Sequence, residues 1–181
     1  MNSFYPHIRV KRINPDAPMP KYAHDGDAGM DLCSMEDVEL YPGETKKVGT
    51  GVAMAIPDGW VGLVFPRSGL GSKGLTLSNC VGVIDSGYRG EIQATLHFNQ
   101  SSSEYWISEQ RQVDGSVIVT KNTVKNLKSF KVRKGDRVAQ IVFVPFGSAT
   151  LQEVEDLDET DRGAGSFGST GVSTITGGDR L

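Results

Sequence analysis

A chain of 181 residues is long enough for one domain with a sizeable core and an appendage. With 19 basic against 22 acidic side chains the net charge is −3, so no strongly basic face is announced and direct nucleic-acid binding is not expected. No apolar run approaches the roughly 18 residues that a membrane span needs, and residues 1–15 lack the apolar core of a secretory signal. Cys33 and Cys80 lie far apart without metal spacing and read as reduced thiols of a cytoplasmic protein. His7, His24 and His97 form no ligand pattern either.

Short strands dominate the chain order. Residues 46–56 read as a pair of strands. After the turn Pro57-Asp58-Gly59, residues 60–65 form a strand with Trp60, Gly62 and Val64 on one face. A short helix is expected within 68–74, where glycines argue against a longer one. Residues 82–91 then read as a strand, a carboxylate on its buried side, a tight turn bounded by Gly87 and Gly90, an aromatic, and a strand again. The second of these strands, 91–98, alternates strictly, with Ile92, Ala94, Leu96 and Phe98 facing inward. Residues 138–144 form a buried strand interrupted by one polar side chain, Gln140. Pro42-Gly43 and Lys134-Gly135-Asp136 supply further turns. Strands at this spacing predict an all-β sandwich or jelly roll.

Two segments stand apart from this core. Residues 100–128 open on Ser101-Ser102-Ser103 and carry Asp114-Gly115 between two strand-like runs, the mark of an inserted, exposed β-hairpin. From Glu153 onward six acids make a solvated linker, followed by Arg162-Gly163-Ala164-Gly165-Ser166-Phe167-Gly168-Ser169-Thr170-Gly171. The Gly163-x-Gly165-x-x-Gly168 spacing matches a dinucleotide fingerprint literally. That fingerprint requires a strand before it and a helix after it, and here an acidic linker precedes a short tail. No Gly-Lys-Ser/Thr follows, so a P-loop is excluded as well. What remains is a flexible backbone with a guanidinium and hydroxyls suited to phosphate oxygens, and a Phe able to cover a flat base.

Asp85 is the most informative single residue. A carboxylate where a strand enters a turn can be held toward a concave space, as a general base requires. The competing reading is an Asp that shapes its own turn by bonding nearby amides.

Five blocks decide between these readings. They are Asp27-Ala28-Gly29-Met30-Asp31-Leu32; Pro66-Arg67-Ser68-Gly69-Leu70; Asn79 with Gly82-Val83-Ile84-Asp85-Ser86-Gly87-Tyr88-Arg89-Gly90; Lys134-Gly135-Asp136-Arg137-Val138-Ala139-Gln140-Ile141; and the segment from Arg162 to Gly171. In this order they resemble the homotrimeric, all-β dUTPase (dUTP pyrophosphatase) family, across residues 20–172 apart from the insert. The resemblance implies a distorted jelly roll of the β-clip kind and a homotrimer with C-terminal arm exchange. It divides the chain into a core over 1–152, carrying the insert, and a linker and arm over 153–181 that closes a neighbouring subunit's site.

The implied reaction is hydrolysis of dUTP to dUMP and pyrophosphate with Mg²⁺, limiting uracil in DNA and supplying dUMP. The resemblance makes Asp85 the general base that deprotonates the attacking water. Arg67, Ser68, Gly69 and Gln140 would contact phosphates, with Asp31 organising the site from behind. Asn79, Gly82, Val83, Ile84 and Gln93 would read uracil, with Tyr88 against the deoxyribose. Phe167 would cover the base while Arg162, Gly168, Ser169 and Thr170 grip the distal phosphates. The metal would be held by substrate and waters, without a direct protein ligand. Asp136 and Arg137 are expected to hold turns or subunits together.

The insert departs from the compact family pattern and resembles those of some phage dUTPases, some of which bind a repressor protein. A repressor partner is therefore a second expectation. The nearest rival is a dCTP deaminase-like enzyme, whose catalytic Glu belongs near Thr95-Leu96-His97, where this chain offers His97. A non-catalytic regulatory module is the other alternative.

Overall fold

A computed structural model describes residues 5–99, 109–111, 117–119 and 129–165. Twelve strands and one short helix are assigned among them. Two four-stranded antiparallel sheets enclose the core. One has the order β1 (Arg9–Arg12), β4 (Thr45–Ala55), β8 (Glu91–Phe98), β6 (Leu75–Leu77). The other has the order β2 (Met30–Cys33), β12 (Arg137–Pro145), β5 (Trp60–Phe65), β7 (Gly82–Ile84). A third pair joins β3 (Val38–Leu40) to β11 (Phe130–Val132). The two-sheet arrangement with crossovers is the predicted jelly roll.

The alternation in β8 does what its period dictates. Ile92, Ala94, Leu96 and Phe98 are buried on one face, while Gln93 is exposed on the other. They join Val48, Leu75 and Leu77 from their own sheet and Leu32, Val64, Val138 and Ile141 from the facing one in a single core. Each fully buried Leu or Ile there contributes about 1.5–3 kcal/mol of transfer free energy. Phe98 meets Phe130 edge-on at 5.5 Å, which draws the β3–β11 pair onto the core. Gly62 is small by necessity: a Cβ there would lie 2.8 Å from Ile56 Cδ1 and 3.2 Å from Ile141 Cδ1.

Residues 46–56 differ from the expected strand pair. They belong to one strand, β4, broken in register by a bulge: Gly49 faces Gln93, yet Ala53 faces Glu91. Four residues of β4 thus advance against two of β8. Gly51, at φ +71°, absorbs the extra length without a turn. Beyond the bulge β4 also pairs with β1, which the sequence pattern did not announce. The expected helix is present but ends early, spanning Ser68–Gly71 as α1.

Within the insert, β9 (Glu109–Arg111) pairs antiparallel with β10 (Val117–Val119) as a sheet of its own, on either side of the Asp114-Gly115 signal. The rest of the insert lies outside the described residues. By internal contacts the chain divides into two compact units, Met1–Ser148 and Ala149–Leu181. The described part of the second unit has no helix or strand. No helix among the described residues is long and apolar enough to cross a membrane.

Candidate active site

The hairpin residues singled out from sequence converge. Asn79, Gly82, Val83, Ile84, Asp85, Tyr88 and Gln93 all line one cavity of about 290 Å³, completed by Val64, Leu77, Lys47, Glu91 and Thr95. The fold brings them together because β7 pairs with β5 while β8 runs in the other sheet, so the Asp85-to-Gly90 connection crosses between sheets. β7 is an edge strand: β5 covers one side, and its outer backbone groups face the open side. Asn79 sits in the turn after β6. Cys80 beside it adopts φ +58°, the left-handed region that an ordinary side chain rarely occupies.

Asp85 follows directly on β7. It is exposed rather than on the buried side of the strand. Its turn is closed by other groups: the Tyr88 amide donates to the Asp85 carbonyl at 3.1 Å, and Arg89 Nη1 donates to the carbonyls of Ser86 at 2.5 Å and Tyr88 at 2.7 Å. Among the described residues the Asp85 carboxylate makes no hydrogen bond or ion pair. The turn-shaping reading is therefore not what the geometry supports, because Arg89 and the backbone do that work. Tyr88 Oη donates to the Glu91 carbonyl at 3.0 Å, folding the ring back over Gly90.

A second cluster forms at the other end of the same sheet. Asp31 on β2 accepts Arg67 Nε at 2.9 Å on one carboxylate oxygen and Arg137 Nη1 at 3.2 Å on the other. Its side chain is 14% exposed, against 29% for Arg67 and 53% for Arg137. Arg67 Nη1 also donates to the Arg137 carbonyl at 3.3 Å. Gln140, opposite Asp31 in register, donates from Nε2 to the Pro66 carbonyl at 3.1 Å and so anchors the start of the Arg67-Ser68-Gly69 segment. Among the described residues no side chain caps α1 at its start, which leaves the Ser68 and Gly69 end of the segment open to a ligand's acceptors.

Two residues of this cluster escaped the sequence reading. Arg137 was expected to serve turns or subunits, and it closes the Asp31 pair. Gly29 had no assigned task, and it lies so close to Gln140 that a Cβ would stand 2.8 Å from Oε1. Both sit inside the five blocks, but only strand pairing reveals what they touch.

The register separates the two clusters. Asp31 stands level with Gln140 and Phe65, whereas Asp85 lies one residue beyond Ile84, the partner of Gly62. Four residues along the strands and three strand spacings across put Asp85 and Asp31 roughly 20 Å apart within one chain. A base and a phosphate clamp acting on one phosphorus must stand within a few ångströms of it. The residue expected as base and the segment expected at the phosphates therefore stand apart within one chain.

In the second unit, Arg162 Nε donates to the Gly165 carbonyl at 3.4 Å, and the Gly163 amide closes a turn on Thr160. Phe167, Gly168, Ser169 and Thr170 lie outside the described residues.

Comparison with known proteins fits this arrangement. The dUTPase family model matches residues 15–121 and 109–171, two stretches that meet inside the insert. A deoxyuridine 5'-triphosphate nucleotidohydrolase of Rhodococcus erythropolis is 41% identical over 169 residues, covering 93% of this chain and 88% of the relative. A mutant of the Staphylococcus bacteriophage 80alpha dUTPase, solved with dUpNHpp, superposes with a TM-score of 0.75 at 37% identity, covering 92% of this chain and 99% of that one. A mutant dUTPase of the S. aureus phage phi11, which coordinates a structural Mg(II) ion, superposes with a TM-score of 0.67 at 33% identity, over 83% and 97%. Sequence likeness at this level across nearly the whole length, with the jelly roll and the five blocks in place, means that the chain belongs to the dUTPase family.

Proposed function

We propose that the chain hydrolyses dUTP to dUMP and pyrophosphate, with Asp85 as the general base. The observation that carries the assignment of the base is the Asp85 carboxylate at the wall of the hairpin cavity, without a partner among the described residues. Asp85 takes one proton from a bound water, whose oxygen attacks the α-phosphorus. The bond from that phosphorus to the α,β-bridging oxygen breaks, and pyrophosphate leaves.

Uracil enters the cavity against the free edge of β7. The backbone of Gly82, Val83 and Ile84, with Asn79 and Gln93, meets its acceptor–donor–acceptor edge. Cytosine presents a mismatched edge, and each unpaired buried polar group costs about 1–3 kcal/mol. Tyr88, pinned by its hydroxyl, lies along the deoxyribose. Arg67, Ser68, Gly69 and Gln140 of a different protomer hold the phosphates, which is the role that the roughly 20 Å separation leaves to them. Asp31 orients Arg67 from behind. Arg162, Gly168, Ser169 and Thr170 hold the distal phosphates and Phe167 covers the base, again from a neighbouring chain of a homotrimer. Leu151 and Leu157 in the second unit, 97% and 84% exposed, are apolar surface that such an exchange would cover.

Both oxygens of Asp31 are already occupied by guanidinium groups, so Asp31 would meet Mg²⁺ only through water, and the ion would be held by the substrate's phosphates and by water. When bound, it supplies neutralisation of the charge that develops on the phosphate oxygens. A free deoxynucleotide as substrate is consistent with a protein that works in the cytoplasm. The separate β9–β10 sheet, together with the likeness to phage enzymes, favours a second role for the insert in binding a repressor protein. Deleting residues 100–128 should abolish that binding in a pull-down, and unchanged capture would remove the insert from it.

The direct test mixes protein, Mg²⁺ and each deoxynucleoside triphosphate and measures pyrophosphate. Only dUTP should turn over at an appreciable rate. Equal hydrolysis of dCTP or dTTP would refute the hairpin as the base reader, and ammonia release from dCTP would mark a deaminase.

A further inference from the structure

Glu91, the first residue of β8, lines the hairpin cavity, yet the reaction as derived gives it no task. Its carboxylate is already committed. Oε1 accepts the Gly51 amide at 2.7 Å, inside the β4 bulge, and a Cβ on Gly49 would come within 2.6 Å of the same oxygen. Gly51 is buried, so without Glu91 its amide would face no acceptor. The next residue is tied to the bulge as well: buried Thr50 donates from Oγ1 to the Ile92 carbonyl at 2.6 Å. The bulge thus grips the start of β8 at two successive residues.

The backbone of Glu91 holds something else. Its carbonyl receives the Tyr88 hydroxyl at 3.0 Å. Gly90 between them lets the ring fold back, since a Cβ there would stand 2.4 Å from Tyr88 Oη and 2.6 Å from Cζ. One residue therefore links the bulge through its side chain to the Tyr88 ring through its carbonyl. A steric gate selects only as well as it stays in place, because a ring that can swing aside admits the larger sugar.

We propose that Glu91 is a positioning residue for sugar selection: its carboxylate, locked in the β4 bulge, fixes the carbonyl that pins Tyr88 where a 2′-hydroxyl would have to go. The proposal rests on the reading of Tyr88 as the deoxyribose gate. It predicts that selectivity for dUTP over UTP depends on a contact made inside the β4 bulge, between Glu91 and Gly51, and not with the substrate.

The measurement is kcat/KM for dUTP and for UTP with full-length protein. Glu91→Ala should lower the dUTP/UTP ratio by about tenfold or more, chiefly by raising the UTP value. Glu91→Gln keeps an oxygen for the Gly51 amide and should hold the ratio within about threefold of the native one. Tyr88→Phe, which removes the pinned hydroxyl, should lower the ratio as Glu91→Ala does. The double variant should be no worse than either single one, because both break the same link. A native ratio in folded Glu91→Ala overturns the proposal, and so does a Glu91→Gln variant as damaged as the alanine. Tyr88→Ala separates the two levels of inference. If it leaves the ratio unchanged, Tyr88 is no sugar gate and the underlying reading fails. If it collapses the ratio while Glu91→Ala does not, the positioning role alone fails. Should Glu91→Ala not fold, Gly49→Ala displaces the carboxylate by crowding Oε1, and the same ratio decides.

Discussion

Asp85 and Asp31 stand near opposite ends of one sheet, and their surroundings make them different kinds of carboxylate. Asp31 spends both oxygens on guanidinium groups of Arg67 and Arg137 and is mostly covered. Asp85 is exposed at a cavity wall, with its oxygens uncommitted among the described residues. An acid whose charge is met inside the chain orders its neighbours, whereas one left open can take a proton from water. Chemical role here follows from which valences the fold leaves unsatisfied, not from residue type.

The largest expected effect lies at Asp85. Asp85→Asn should cut pyrophosphate release by about 10²–10⁴-fold, the range associated with a positioned general base. Calorimetric dUTP binding should survive, and the melting temperature should stay near native, since no internal bond is lost. Persistent turnover would break the contrast by moving the base elsewhere. Next in size is removal of the arm. A chain ending before Arg162 should lose about tenfold or more in turnover while sedimenting as the same oligomer, consistent with loss of one transition-state contact of about 1.4 kcal/mol or more. An unaffected rate would detach the arm from the site.

Asp31→Asn should show the reverse signature to Asp85→Asn. Two ion pairs weaken and two guanidinium groups are left under-compensated, at a cost of about 1–2 kcal/mol after allowing for partial exposure. For a chain of this size that lowers the melting temperature by roughly 3–6 °C in a thermal scan. A stability change at Asp85 larger than at Asp31 would invert the comparison.

The smallest effect is on a thiol. Burial, then the neighbouring Asp31 charge, raises the Cys33 pKa above its ordinary value. Thiolate is the reactive form, so at neutral pH Cys33 should label more slowly with a disulfide reagent than exposed Cys80. The rate at Cys33 should climb as pH rises toward the elevated pKa. Asp31→Asn removes one raising charge, lowers that pKa and should speed labelling at fixed pH by about a few-fold. No acceleration would mean that Asp31 and Cys33 are electrostatically independent.

Much of the architecture was legible from local pattern. The alternation over β8 faithfully marked its buried face, and the Asp-Gly pair falls between the paired strands β9 and β10, because both signals act between near neighbours. The hairpin residues from Asn79 to Gln93 were readable as one group for the same reason. The β4 bulge was not readable as such, since a break in a strand and a two-residue register shift look alike until β8 is laid beside it. The Arg137–Asp31 pair was not readable either: the two lie 106 residues apart, and adjacency across β2 and β12 is created only by sheet pairing.

The sequence by itself determined the fold class, the family blocks and the identity of the candidate base. These depend on side-chain period, turn chemistry and motif order, all written along the chain. Only the tertiary structure decided that Asp85 has no side-chain partner among the described residues while Asp31 is clamped, that Glu91 ties the bulge to Tyr88, and that the Asp85 hairpin and the Asp31–Arg67 cluster stand apart within one chain. Each of those is a relation between distant segments, set by strand register, and register is resolved only when the sheets close on their shared core.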